Sequence, residues 1–207
     1  SIGKLAQKAR PGDILAFTSY DWLGIGINVL TYGIKCCKFG FCHVALIDDG
    51  TYYYKDFPQL QGMLIYESTI ICPTPCYCCG EKLKGVQFQP LYQRIKNYPG
   101  KVFWLKSNLF TPKWVGEGRE EEYSTYLKEL LHTSYDLLGA FRARDLTILE
   151  KLIYRKRDIS SLYCSELVAA IYRKFSDKVK KNLVYSPNKL VNEFIKMGLL
   201  HKPVRVC

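Results

Sequence analysis

The chain lacks any apolar run approaching the roughly 20 residues that a membrane helix needs. Its first residues, Ser1-Ile2-Gly3-Lys4, carry no signal-peptide apolar core. A membrane-spanning or exported protein is therefore not expected, and the expected location is cytoplasmic, with a peripheral membrane association left open. Nucleic-acid signatures are missing too: there is no finger spacing and no aromatic-glycine motif, so nucleic acid is an unfavoured partner. No internal repeat, low-complexity linker or obvious domain boundary interrupts the 207 residues, so 1–207 is read as one domain. Histidine is scarce as well. There are three, His43, His132 and His201, and the last two read as helix-surface and tail residues.

What the chain does have is core material and positive charge. The hydrophobic fraction is 48%, with 16 tyrosines and 10 phenylalanines, enough for a sizeable core without staples. The net charge is +11, and Lys and Arg gather in 151–157, in 173–181 and at the C-terminal end. Such a balance suits anionic partners, including an anionic membrane surface, although a basic solubility face has the same composition. Nothing in the sequence speaks to oligomeric state.

The first half of the chain reads as strands. Pro11-Gly12-Asp13 is a turn, and Ile14-Leu15-Ala16-Phe17 a buried strand. Residues 20–35 are apolar but broken by Gly24, Gly26 and Gly33, which suggests a short helix or a glycine-softened loop. Val44 to Ile47 is a strand headed by His43, and Asp48-Asp49-Gly50 is a hairpin turn, with Tyr52, Tyr53 and Tyr54 as a candidate partner. In Leu64-Ile65-Tyr66-Glu67, alternation turns Leu64 and Tyr66 one way and Ile65 and Glu67 the other. A carboxylate sharing a face with isoleucine needs a partner if it is buried. Residues 85–91 and 101–106 read as two further strands.

Cysteine is the abundant oddity. Seven of the nine fall in two short segments: Cys36, Cys37 and Cys42, then Cys72, Cys76, Cys78 and Cys79. Thiolate clusters suit zinc, but Cys-x3-Cys-x-Cys-Cys is not a paired-knuckle spacing and no histidine lies within that segment. Disulfides need an oxidising compartment, and a Cys-Cys pair also suits palmitate. The expectation is a loop of reduced cysteines around 72–79, with no metal ligand or cofactor assigned.

The second half reads as helices. Residues 117–132 present Tyr123, Tyr126, Leu127, Leu130 and Leu131 on one side, and 145–155 carry a second helical pattern. Ser186-Pro187 opens a last helix that Gly198 stops. Between these, Leu167, Val168, Ile171, Tyr172 and Phe175 form one face of a helix with Ser160 or Ser161 as the expected cap. Strands followed by helices indicate an α+β fold. Cys164 then stands in the first turn of that helix, where the partial positive charge of the N-terminus favours a thiolate. A structural cysteine packed as a small hydrophobe is the plain alternative.

Cys164, His43 and Glu67 are the parts that cysteine acyl-transfer chemistry requires: a thiol, an imidazole to take its proton, and a group to orient the imidazole. Their order adds to this. Gly12-Asp13-Ile14-Leu15, His43-Val44-Ala45-Leu46, Tyr66-Glu67-Ser68, Tyr135-Asp136, Tyr163-Cys164-Ser165-Glu166-Leu167-Val168, and Ser186-Pro187 with Leu190 follow one another as a pattern. It resembles the circularly permuted papain-like fold of the NlpC-type superfamily, especially its YiiX-like and poxviral branch, with lecithin:retinol acyltransferase in another permuted branch. The likeness runs from about residue 10 to about residue 195. It implies an antiparallel sheet or small barrel packed against helices, with Cys164 as nucleophile, His43 as base and Glu67 as the residue orienting His43. Tyr135, Asp136 and Tyr163 are taken as packing or loop-fixing residues. Cys42 stands where relatives commonly have serine, and the stretch from Cys72 to Cys79 has no counterpart.

The resulting expectation is a cysteine hydrolase or acyltransferase acting on an amide, ester or thioester through an acyl-enzyme. The resemblance leaves the substrate among cell-wall-type peptides, acylated lipids and isopeptide bonds, and the basic face tilts it towards an acylated or membrane-associated one. The competing expectation is a non-catalytic binding or scaffold protein that engages a partner through its cysteine-rich loop and basic face.

Overall fold

Runs such as Ile14-Leu15-Ala16-Phe17 and Val44-Ala45-Leu46-Ile47 bury every side chain, so the strands they form must be covered on both faces. The computed structural model describes residues 2–18, 40–50, 62–70, 74–110, 119–136, 162–180 and 184–207. Within them lie strands β1 (Ile14–Thr18), β2 (His43–Asp48), β3 (Leu64–Thr69), β4 (Gly85–Pro90), β5 (Lys101–Leu105) and β6 (Val204–Arg205). The helices are α1 (Ile2–Lys8), α2 (Leu91–Lys96), α3 (Glu120–Leu130), α4 (Cys164–Phe175) and α5 (Pro187–Lys196).

The strands make one open sheet in the order β4-β3-β2-β1-β5-β6, and the neighbours are antiparallel. Of the two expected forms, a sheet or a small barrel, the described residues show the open sheet. Ile14, Ala16, Val44, Leu46, Leu64 and Tyr66 face α3, α4 and α5. The alternate residues Leu15, Phe17, Ala45, Ile47 and Ile65 face Leu5 of α1 and Leu91 and Ile95 of α2. Period two thus explains why both sets are apolar.

Buried polar groups fix how the elements meet. Asp13 accepts from the Ser107 N–H and the Trp104 indole, both at 2.8 Å, tying the start of β1 to the end of β5. Tyr172 on α4 donates to the Gly12 carbonyl at 2.8 Å, and Tyr66 on β3 donates to the Leu127 carbonyl of α3 at 2.7 Å. Gly12 has φ of 86°, and a Cβ there would stand 2.0 Å from the Phe110 ring. That close approach requires glycine.

Most expected elements are present, with differences at their ends. The last helix has its expected cap: the Ser186 side chain accepts from the Lys189 N–H, Pro187 follows, and Gly198 at φ 71° closes it. At α4 the N-cap is Tyr163, whose side chain makes no capping bond; the expected caps, Ser160 and Ser161, lie outside the described residues. Three elements were not expected: α1, α2 and β6. The patterns at 20–35 and 145–155, the strand at Tyr52, Tyr53 and Tyr54, and Cys36, Cys37 and Cys72 lie outside the described residues.

Candidate active site

Three elements converge on His43. It opens β2 opposite Phe17 of β1. The residue two before it, Phe41, gives its N–H to Asn188 Oδ1 on α5 at 2.7 Å, so the entry to the strand is held by the last helix. On the neighbouring strand, Leu46 pairs with Tyr66 and Ile47 with Ile65. Extending that register by one pair sets Glu67 opposite Ala45, a diagonal neighbour of His43 on the same face. His43 Nε2 meets Glu67 Oε2 at 2.7 Å.

β3 serves both sides of the site because its adjacent residues point to opposite faces. Glu67 faces His43, while the Ser68 hydroxyl donates to the Leu162 carbonyl, two residues before Cys164. The Ser165 hydroxyl donates to the Tyr185 carbonyl at 2.6 Å, and the Tyr163 hydroxyl donates to the same oxygen at 3.3 Å. These bonds seat the first turn of α4 with Cys164 as its first residue, within electrostatic reach of His43. Since Nε2 is committed to Glu67, the ring nitrogen left for the sulfur is Nδ1. The structure therefore brings together all three residues expected from the sequence, in the order sulfur, imidazole, carboxylate.

The site is nearly closed to solvent. Cys164 is 5% exposed, the Glu67 side chain 0% and the His43 side chain 14%. Burial opposes charge on each group, and the neighbours decide otherwise. For Cys164, burial disfavours the thiolate, but the His43 imidazolium, its hydrogen bond, and bonds from the backbone of Val44 and Ser165 hold the thiol below its ordinary range. For His43, burial works against the proton, but the Cys164 thiolate and then Glu67 raise its pKa to about 9. For Glu67, burial again opposes charge, and Arg94 and then His43 bring it down to about 2. Both shifts run the same way, favouring a thiolate beside an imidazolium.

Arg94 is the residue that sequence reasoning missed. Its Nε donates to Glu67 Oε1 at 2.7 Å and its Nη2 to Oε2 at 3.2 Å. The guanidinium also lies over the rings of Phe17 and Tyr98, at 5.4 and 5.6 Å. The signal was Leu91 and Ile95, spaced as one face of a short helix, which puts Arg94 beside the sheet. Tyr163 fixes its loop, as expected. Tyr135 is half-buried within electrostatic reach of Cys164: burial, then that thiolate, raise its pKa, so its phenol keeps its proton. Cys76, Cys78, Cys79 and His132 make a second cluster with metal-ligating atoms.

No protein-family model matches the chain, and no curated protein matches it. Among solved structures its fold is similar to that of the metalloprotein YiiX from Escherichia coli O157:H7. The TM-score is 0.51 at 13% identity, with 97% of each chain covered. The chain thus has a YiiX-like α+β fold. Among the described residues, no helix is long and apolar enough to cross a membrane.

Proposed function

We propose that the protein is a cysteine-dependent hydrolase or acyltransferase, a single-domain enzyme of the permuted papain-like, NlpC-type kind. The observation that supports this reading is His43 hydrogen-bonded to the buried Glu67 carboxylate and within electrostatic reach of Cys164. A buried histidine with a purely structural role has no need of both a neighbouring cysteine and an arginine-backed carboxylate.

In this reading the Cys164 thiolate attacks the carbonyl carbon of an amide, ester or thioester and forms the carbon–sulfur bond. The first backbone N–H groups of α4 have no carbonyl partner within the helix and steady the oxyanion. His43 gives its proton to the leaving group as the tetrahedral intermediate collapses to an acyl-enzyme. The neutral imidazole then takes a proton from water or from an acceptor hydroxyl, thiol or amine. That nucleophile attacks the acyl-enzyme, and Cys164 leaves as thiolate. Glu67 keeps the ring oriented and favours its protonated form throughout. The chain's positive charge favours an acylated peptide or lipid presented at an anionic membrane surface.

The test is alkylation by iodoacetamide followed by peptide mass spectrometry. Cys164 is expected to label fast at about pH 6, where an ordinary thiol is almost wholly protonated. His43→Ala is expected to abolish that fast phase. If Cys164 labels no faster than Cys207, the enzyme reading loses its support and the scaffold reading takes its place.

A further inference from the structure

The cysteine-rich segment finds its missing histidine in the tertiary structure. Cys76, Cys78 and Cys79 lie in the loop between β3 and β4, and His132 follows the end of α3, 54 residues after Cys78. The ligand atoms of all four lie within 4.8 Å of one another. Cys76 Sγ is 3.1 Å from Cys78 Sγ, and His132 Nε2 is 3.3 Å from Cys78 Sγ and 3.9 Å from Cys76 Sγ. A tetrahedral zinc with Zn–S of about 2.3 Å and Zn–N of about 2.0 Å has ligand-to-ligand edges of about 3.5 to 3.8 Å. The spacings bracket that range, so four ligands reach a common centre with shifts of about an ångström or less.

The backbone around the cluster is built to hold these side chains in place. The Cys76 N–H donates to the Glu81 carbonyl at 2.7 Å, and the Gly80 N–H returns to the Cys76 carbonyl at 2.8 Å. The Tyr77 N–H bonds the Phe88 carbonyl, and the Gln89 side chain bonds the Pro75 carbonyl at 2.9 Å, so the loop is pinned to β4. On the other side, the His132 N–H donates to the Val86 carbonyl and the Val86 N–H to the Thr133 carbonyl. This brings the chain after α3 so close to β4 that a Cβ at Gly85 would stand 2.1 Å from Thr133 O. His132 itself has φ of 64°, the one left-handed non-glycine residue among those described. Glycine is the default at that position after a helix. Here a histidine takes it, and its ring meets the cysteines instead of lying on the helix surface.

We propose that Cys76, Cys78, Cys79 and His132 form a structural Cys3His zinc site that staples the β3–β4 loop to the turn after α3. A closed four-ligand sulfur and nitrogen set suits structural zinc, with no position left for a reacting molecule. The cysteines bind as thiolates and His132 through Nε2, with its remaining proton on Nδ1. The turn thus held also carries the Ser134 carbonyl, which accepts the Leu162 N–H at 2.8 Å. The staple therefore joins three segments far apart in the chain, and closing long loops is where a metal clip adds most stability.

Elemental analysis of the purified full chain, never exposed to chelator, is expected to find about one equivalent of zinc. Cobalt added to the reduced, metal-stripped protein is expected to give the tetrahedral visible bands and the thiolate charge-transfer band of a sulfur-rich site. Cys78→Ser and His132→Ala should each lose the metal, while Cys207→Ser keeps it. A strong chelator is expected to lower the Tm of the wild-type protein by about 5 °C or more. Less than about 0.2 equivalents of zinc together with no cobalt spectrum overturns the proposal, and neither measurement depends on a variant folding. A Cys76–Cys78 disulfide in freshly purified protein, seen as a mass change on reduction, overturns it as well. So does metal content that follows Cys207 as closely as Cys78.

Discussion

Arg94 and His43 share one carboxylate. Arg94 donates to both oxygens of Glu67, and His43 Nε2 lies 2.7 Å from Oε2. Because the carboxylate is ionised, the imidazole must be the donor, which fixes a proton on Nε2 and leaves Nδ1 as the nitrogen available to Cys164. A buried carboxylate with a single partner would tend to neutralise, and Arg94 prevents that.

Arg94→Met is therefore expected to cost about 3 kcal/mol or more, because it strands a fully buried charge on Glu67. Urea unfolding of Arg94→Met, Glu67→Gln and the double variant checks this. The double variant should be more stable than the sum of the two single losses predicts, since the second change removes the charge that the first left unpaired. Strict additivity would mean that Arg94 contributes only its packing on Phe17 and Tyr98.

The alkylation of Cys164 has a distinctive expected pH profile. Reactivity follows the thiolate, so it rises with pH through a Cys164 value lowered from the ordinary thiol range by the His43 imidazolium. Turnover, once a substrate is known, needs the His43 proton as well and should fall as pH passes about 9. Glu67→Gln removes one cause of the raised His43 value, so the alkaline limb should move to lower pH. A limb unmoved by Glu67→Gln would place that titration on another group.

Glu67 also links stability to acid. Its folded pKa of about 2 lies below its unfolded value, so its contribution is complete above the ordinary carboxylate pKa of about 4.5. That contribution is lost as pH falls through about 2. The stability gap between wild type and Glu67→Gln should hence be constant near neutrality and narrow across that window. A gap independent of pH would show that Glu67 is not ionised in the folded state.

Gly12→Ala is expected to destabilise by about 2 kcal/mol or more, combining a positive φ with overlap onto the Phe110 ring. Gly62 provides the comparison: its φ is 90°, but a Cβ there meets nothing within 4 Å. Gly62→Ala should cost only the conformational part, about 1 kcal/mol. Equal losses in thermal unfolding would show that the close approach of Phe110 is not needed.

Local patterns alone specify much of the architecture. Apolar runs of four to six residues in the first half and 3.6-residue periodicity in the second determine strands and helices by themselves, because each pattern buries a face only in its own conformation. Ser186-Pro187 and Gly198 mark the last helix for equally local reasons. Alternation in β3 puts Glu67 on the face of Ile65, and the register with β2 agrees. Tertiary structure decided what spacing cannot encode. Arg94 reaches Glu67 only because a one-and-a-half-turn helix, too short to stand out as a pattern, packs back on the sheet. His132 meets the cysteines only because the chain after α3 returns to β4 at a glycine. The Cys164 helix could be read as amphipathic and charge-favouring, but the group that lowers its thiol pKa stands at the start of β2. Partners across long chain separations are chosen by packing and register, which no single segment contains.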